Sequence, residues 1–263
     1  MKTYYYVHTG HRVGLDRFRR AVVIVKELQK KGVDITLLCS DFRIASEAKE
    51  FGIENSVGID VVRNIPHIAK HGDRLIFDSD EANPIMLEDM KEYFSTFVHM
   101  KTDEIVVDEK YFKKYEKTIP LAFFFGDDDY EKDLEKLIPS LKKLDPALLL
   151  GYYYFFDYED MLKENFKNHY DFEDYDKVIT SSEVLITASP QAALECLASG
   201  GKPIFIKRDD YLDSFENEFQ RLHIPIIGFL DLGQESKVFR AISNNLYQQI
   251  DTNSLNFLSF IYN

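Results

Sequence analysis

One stretch of this chain brings together residue types suited to holding a phosphorylated ligand. Residues 187–206 read Thr-Ala-Ser-Pro-Gln-Ala-Ala-Leu-Glu-Cys-Leu-Ala-Ser-Gly-Gly-Lys-Pro-Ile-Phe-Ile. A strand ends in a small polar turn, a helix opens near Gln191, and glycines close it before the next strand. Ser189 is placed to cap that helix, and the N–H groups of a helix start form a ready site for phosphate oxygens. Glu195 lies one turn further in, where a carboxylate can accept hydrogen bonds from ribose hydroxyls. The same residues also suit a plain cap followed by a solvated helical glutamate, because short motifs carry a high false-positive risk.

A second candidate region follows the first apolar run, at His8-Thr9-Gly10-His11. A neutral imidazole can take a proton near pH 7, so either histidine can serve as a general base. His11, beside Gly10 on the turn, is the expected catalytic one; a loop histidine also serves simply as a local hydrogen-bond partner. Downstream, Arg12, Arg17, Arg19 and Arg20 make a basic cluster in an otherwise acidic chain. Arg17 stays protonated and cannot act as a base, but its planar fork suits phosphate or carboxylate oxygens. The alternative is a solvated helix face with ordinary ion pairs.

Three acidic turns complete the set. Asp78 and Asp80 stand at a strand end, where a carboxylate can act as a general base, hold sugar hydroxyls or cap the turn. For Ser79 and Glu81 between and beside them, turn chemistry is the expected role. Asp103 and Glu104 form another acidic turn. The run Asp127-Asp128-Asp129 follows Gly126 at a strand end. It suits a helix start, and beside a diphosphate it would repel unless a divalent cation bridged it. Capping is the preferred reading, so no metal and no cofactor are expected. Tyr152 to Phe156 can stack on a base or sugar, although alternate strand residues face opposite sides and core packing is the simpler role.

These residues must be positioned by alternating elements. Strands are expected over residues 4–8, 34–39, 74–77, 96–100, 121–125, 147–155, 184–187, 203–207 and 225–228. Helices are expected over 15–31, 44–51, 61–69, 86–93, 131–143, 191–199, 213–222 and 236–249. Over 15–31, Leu15, Phe18, Val22, Val25 and Leu28 share one face, and Lys30, Lys31 and Gly32 make a good helix end. Alternation of this kind implies βαβ units and a mainly parallel sheet, whose ligands bind outside the carboxyl ends of the strands. Residues 105–119 are charged and weakly patterned and are read as the crossing between two halves.

The segment 187–206 resembles the nucleotide-binding half of GT-B nucleotide-sugar enzymes, with their small polar turn, helical Glu, Gly and Pro ahead of a strand. Within that group the chain is most similar to the UDP-sugar hydrolases of pseudaminic acid synthesis, the PseG type, and more distantly to MurG. The resemblance runs through most of residues 1–230 in element order and spacing. It implies an α/β, GT-B-like fold of two Rossmann-like domains, with mainly parallel sheets facing a central cleft. Residues 1–118 would form the sugar or acceptor side, and 119–263 the nucleotide side, with a C-terminal helix and tail. It puts Ser189 and Gln191 near the diphosphate, Glu195 near the ribose, and Gly126 where the family's glycine turn approaches phosphates. Gly14 and Arg20 fit the family's first-turn pattern. The second glycine of that pattern is Asp16 here, and the position of its catalytic histidine is Arg17. Asp78 matches a strand-end Asp of the family, and a Tyr expected two positions later is Asp80.

Composition narrows the partners. The 263 residues carry 32 Lys and Arg against 45 Asp and Glu, a net charge of −13, which argues against a polyanionic partner such as nucleic acid. At roughly 150 residues per domain, the length suits one large or two small domains. No apolar run approaches the roughly 18 residues of a membrane span. The N-terminus lacks the h-region of a signal peptide. Cys39 and Cys196 are too few and too far apart for a disulfide framework, which favours a reducing cytoplasm. The expected partner is a nucleotide-activated sugar, UDP-linked by the resemblance. The implied activity is hydrolysis or glycosyl transfer in bacterial-type surface glycan (nonulosonate-like) synthesis. The alternative is a catalytically degenerate relative that binds a nucleotide sugar or a partner protein.

Overall fold

The computed structural model describes residues 1–101, 104, 106–208, 215–234, 237–238, 240–241 and 246–250. They divide into two compact units, one running from Met1 to Val106 and the other from Val107 onward.

The first unit is a five-stranded sheet of β1 (Thr3–Val7), β2 (Ile35–Cys39), β3 (Ser56–Gly58), β4 (Arg74–Asp78) and β5 (Thr96–His99). Its order across the sheet is β3, β2, β1, β4, β5, and every pairing is parallel. β1 and β4 start from the same level, Thr3 opposite Arg74, so Val7 and Asp78 end side by side. Helix α1 (Asp16–Lys30) buries Phe18, Val22, Val25 and Leu28 as its spacing predicts, with Asp16 in the first turn and Lys30 in the last, each at the favourable dipole end. Helix α2 (Phe42–Glu47) is capped by Asp41, which accepts from Arg43 N–H at 2.9 Å. Helix α3 (Pro84–Tyr93) is capped by Asn83 and opened by Pro84. The core between helices and sheet is built on Tyr4, Tyr6, Leu38, Leu75 and Phe77.

The second unit holds β6 (Ile119–Phe124), β7 (Ala147–Leu149), β8 (His169–Tyr170), β9 (Ser182–Thr187), β10 (Lys202–Lys207) and β11 (Ile226–Gly228). The order is β11, β10, β9, β6, β7, β8, again all parallel. Helices α4 (Asp133–Leu144), α5 (Phe156–Asn165), α6 (Tyr175–Ser181), α7 (Pro190–Ala198) and α8 (Glu216–Arg221) make the connections. Phe123, Phe125, Leu148, Ile186, Ile204 and Ile206 lie at the centre of its core. Such strands are covered on both faces, which is why they read as continuous apolar runs rather than alternating ones.

Several expected elements are corrected. The strand expected over 147–155 stops at Leu149, because Gly151 packs on the Gly126 carbonyl and the Tyr153 N–H turns aside to Asp127 O at 2.8 Å. The helix expected over 61–69 is a 3-10 turn, Val62–His67, with Pro66 inside it. α5, α6, β3 and β8 were not anticipated. The helix expected over 236–249 does not reach its expected end, since residues 246–249 are irregular. Its residues 236, 239 and 242–245, residues 213 and 214 of another expected helix, the tail beyond residue 250 and Asp103 lie outside the described residues.

Candidate functional site

In each unit the chain direction of the crossovers reverses beside the first strand, at β1/β4 and at β6/β9. Crevices outside the carboxyl ends at such points are where doubly wound sheets take ligands. Most of the sequence-predicted residues fall on the turns that leave these four strands.

At the β1/β4 end, the His8 N–H donates to Asp78 O at 3.0 Å, fastening the two turns together. Thr9 is held to the β2 end through Ser40 Oγ, which accepts from Thr9 N–H and donates to Thr9 O, both at 2.9 Å. Gly14 N–H closes on Gly10 O at 2.9 Å, making a tight loop ahead of α1. Asp78, expected as a catalytic carboxylate, is 1% exposed. Its Oδ2 accepts from Arg20 Nε at 2.7 Å and Tyr5 Oη at 2.9 Å, and its Oδ1 accepts from Arg20 Nη2. Arg20, expected to bind substrate, is 4% exposed and also donates to Lys101 O at 3.0 Å and Glu104 O at 3.3 Å. Burial works against the charge of Arg20, but Asp78 more than offsets it and holds the guanidinium protonated. This pair serves the fold: each member satisfies the other.

The remaining groups of this turn are more open. Arg17 pairs with Asp80, which is more than half exposed, and lies 3.7 Å from Asp78 Oδ1. His11 Nε2 sits 3.5 Å from Arg43 Nη2, beside the Asp41–Arg43 ion pair. His8 is half-buried, with Nε2 3.8 Å from Glu81 Oε1. Burial pushes the His8 imidazole below its ordinary value. Glu81 opposes that shift, Arg17 adds to it, and Asp80 and Asp78 oppose it. Glu81 is more than a turn residue: its Oε2 accepts from Tyr6 Oη at 2.6 Å and Ser79 Oγ at 3.0 Å.

At the β6/β9 end, Phe124 and Thr187 are register partners, so the Gly126 turn and the start of α7 leave adjacent positions. Ala188 N–H donates to Phe124 O at 3.2 Å. Gly126 has φ +138°, a conformation that a side chain would strain. Ser189 caps α7, its Oγ accepting from Ala192 N–H at 3.0 Å, while its own N–H donates to Thr187 Oγ1 at 3.0 Å. Glu195 is not a solvated helical glutamate. It is 1% exposed and accepts from Tyr175 Oη at 2.7 Å and Gln191 Nε2 at 2.8 Å.

The three aspartates after Gly126 divide their work. Asp129 caps α4, accepting from the N–H groups of Asp133 at 2.7 Å and Leu134 at 3.0 Å, with Tyr158 Oη on the same carboxylate. Burial pushes this carboxyl up, against those donors. Asp128 accepts from Arg208 Nη2 at 3.0 Å, and its carbonyl from Arg208 Nη1 at 3.0 Å. Asp127 Oδ1 lies 3.5 Å from the Tyr152 N–H. Among the described residues no group of three His, Cys, Asp or Glu is placed to hold a metal ion. Arg208, just past β10 and stacked 4.7 Å from the Phe125 ring centre, escaped sequence reasoning. Its signal was an arginine directly after an apolar strand. Cys39 and Cys196 are both buried thiols, each pushed up to about 12 by burial. No helix among the described residues is long and apolar enough to cross a membrane.

Comparison with solved structures defines the class of fold. The chain is similar to the UDP-GlcNAc 2-epimerase of Methanocaldococcus jannaschii, solved with UDP-GlcNAc and UDP, at TM-score 0.64 and 12% identity over 99% of both chains. It is similar to the glycosyltransferase SnogD from Streptomyces nogalater, at TM-score 0.56 and 13% identity over 100% of this chain and 93% of that one. A third likeness is to the spinosyn forosaminyltransferase SpnP, at TM-score 0.53 and 9% identity over 93% and 91%. No family model matches the sequence, and no curated protein matches it. The fold is GT-B-like: two α/β units, each with a parallel sheet.

Proposed function

We propose that this chain acts on a nucleotide-activated sugar, with UDP as the nucleotide. The second unit would bind the nucleotide and the first would handle the sugar or acceptor. The observation that carries this reading is the juxtaposition of Gly126 and the Ser189-capped start of α7 on neighbouring strand ends. A glycine turn admits a phosphate close to backbone, and a helix start favours its charge. The likeness to a UDP-GlcNAc enzyme and to two glycosyltransferases supports the same ligand class. Within the Asp127–Asp129 run, Arg208 pairs with the Asp128 carboxylate, and Asp129 is turned to the α4 start. Glu195 then acts through Gln191 rather than by direct contact with ribose. Hydrolysis of the PseG type or glycosyl transfer in surface-glycan synthesis is the proposed reaction, in the reducing cytoplasm where both thiols persist.

One observation favours a binding-only role: Asp78, the carboxylate nearest the expected chemistry, is spent on Arg20 and Tyr5. A thermal-shift panel of UDP-, CMP- and GDP-sugars, followed by assay for released sugar, tests both readings. Stabilisation by a UDP-sugar with turnover supports the enzyme, and stabilisation without turnover supports the binder. No stabilisation by any of the three contradicts both.

A further inference from the structure

We propose that His8 is the catalytic base of the first unit and that Glu81 is the residue that positions it, an inference that rests on the nucleotide-sugar reading. His8 leaves β1 directly, and its backbone is tied to Asp78 O, so its ring stands at the switch point itself. The ring is about one-quarter exposed, open to a reacting group yet partly dry. Glu81 approaches from the β4 turn with unequal oxygens. Oε2 is fixed by Tyr6 and Ser79, and Tyr6 is itself fully buried and stacked 5.3 Å from Phe77. Oε1 faces His8 Nε2.

A carboxylate on the Nε2 side favours the tautomer with its proton there and leaves Nδ1 as the acceptor. Nδ1 then takes the proton of water, or of an acceptor hydroxyl, as that oxygen forms its bond to the anomeric carbon. The bond from that carbon to the phosphate oxygen breaks, and its electron pair leaves with the nucleoside diphosphate. Glu81 stabilises the imidazolium produced. The charged groups around the ring are Glu81, Arg17, Asp80 and Asp78, and the balance of burial and Arg17 against the three carboxylates holds the resting imidazole neutral near pH 7. Arg17, in the position where the resembled hydrolases carry their histidine, thus tunes the base instead of replacing it.

The test uses the full chain and the UDP-sugar selected by the panel, with His8→Gln and Glu81→Gln. For His8→Gln the expected result is a fall in kcat of about a hundredfold or more with UDP affinity retained. For Glu81→Gln it is a smaller fall in kcat, with the acid limb of the pH profile moved to lower pH. The His8 ring resonance followed by NMR should titrate below the ordinary histidine value in the parent and lower still in Glu81→Gln, which reports the Glu81–His8 contact. The loss of kcat in His8→Gln with UDP affinity retained reports the catalytic role. Unchanged kcat in His8→Gln, or an unmoved His8 titration in Glu81→Gln, overturns the proposal while leaving nucleotide-sugar binding intact. A parent protein that binds UDP-sugar without turnover overturns the base assignment alone. A parent that binds none overturns the underlying reading as well.

Discussion

Arg20 reaches from the second turn of α1 to Asp78 at the end of β4, placing Nε 2.7 Å from Oδ2 where neither residue is more than 4% exposed. Two residues expected to meet a ligand are instead the bolt between the first helix and the central strands. Removing one partner strands a buried charge, so Arg20→Met should cost about 3–5 kcal/mol. Adding Asp78→Asn removes the uncompensated charge, and the double variant should lose less than Arg20→Met alone. Urea unfolding monitored by circular dichroism measures both.

Gly151 should tolerate no side chain. A Cβ there would lie 2.4 Å from Gly126 O, 2.7 Å from Tyr154 Cε1 and 2.9 Å from the Asp127 carbonyl carbon. Two of those neighbours are backbone and cannot rotate away. Gly151→Ala is expected to lose about 1–3 kcal/mol, seen as a lower urea midpoint with an unchanged slope. Because the clash falls on the Gly126 turn, nucleotide-induced stabilisation should shrink with it.

Asp73 should contribute to acid sensitivity. Its carboxylate accepts from Lys2 N–H at 2.8 Å and Lys70 N–H at 2.9 Å. Burial raises its carboxyl, but these two donors, together with the positive charges of the N-terminus and Lys70, outweigh burial and hold it below the ordinary carboxylate value when folded. A depressed folded value means the stabilisation is present above the unfolded carboxylate range, near 4, and is lost as pH falls through the folded value. Asp73→Asn should therefore be less stable than the parent at pH 7, with the difference narrowing in acid. Thermal melts from pH 7 to pH 3 would show it.

The fold was legible because parallel strands buried on both faces read as apolar runs separated by polar turns. The registers of β1 with β4 and of β6 with β9 then brought the suspected turns together without further information. Side-chain pairing was not legible in the same way. Asp78 meets Arg20 across 58 positions and Asp128 meets Arg208 across 80, and no local pattern announces either contact. Glu81 read as turn chemistry because its partners, Tyr6 in β1 and His8 just after it, lie more than seventy residues earlier. The short β7 also escaped, since Tyr152 to Phe156 have strand-like composition, and only the contact of Gly151 with Gly126 ends the strand.

Calorimetric titration of the full chain with UDP tests the central claim most directly. The parent should bind with a dissociation constant between about 1 μM and 1 mM. Gly126→Ala, which meets no atom closer than 3.7 Å but strains a backbone at φ +138°, should weaken binding at least about tenfold by disturbing the phosphate turn. Absence of binding by the parent, or full affinity in a folded Gly126→Ala, would contradict the assignment of the β6/β9 switch point as the nucleotide site.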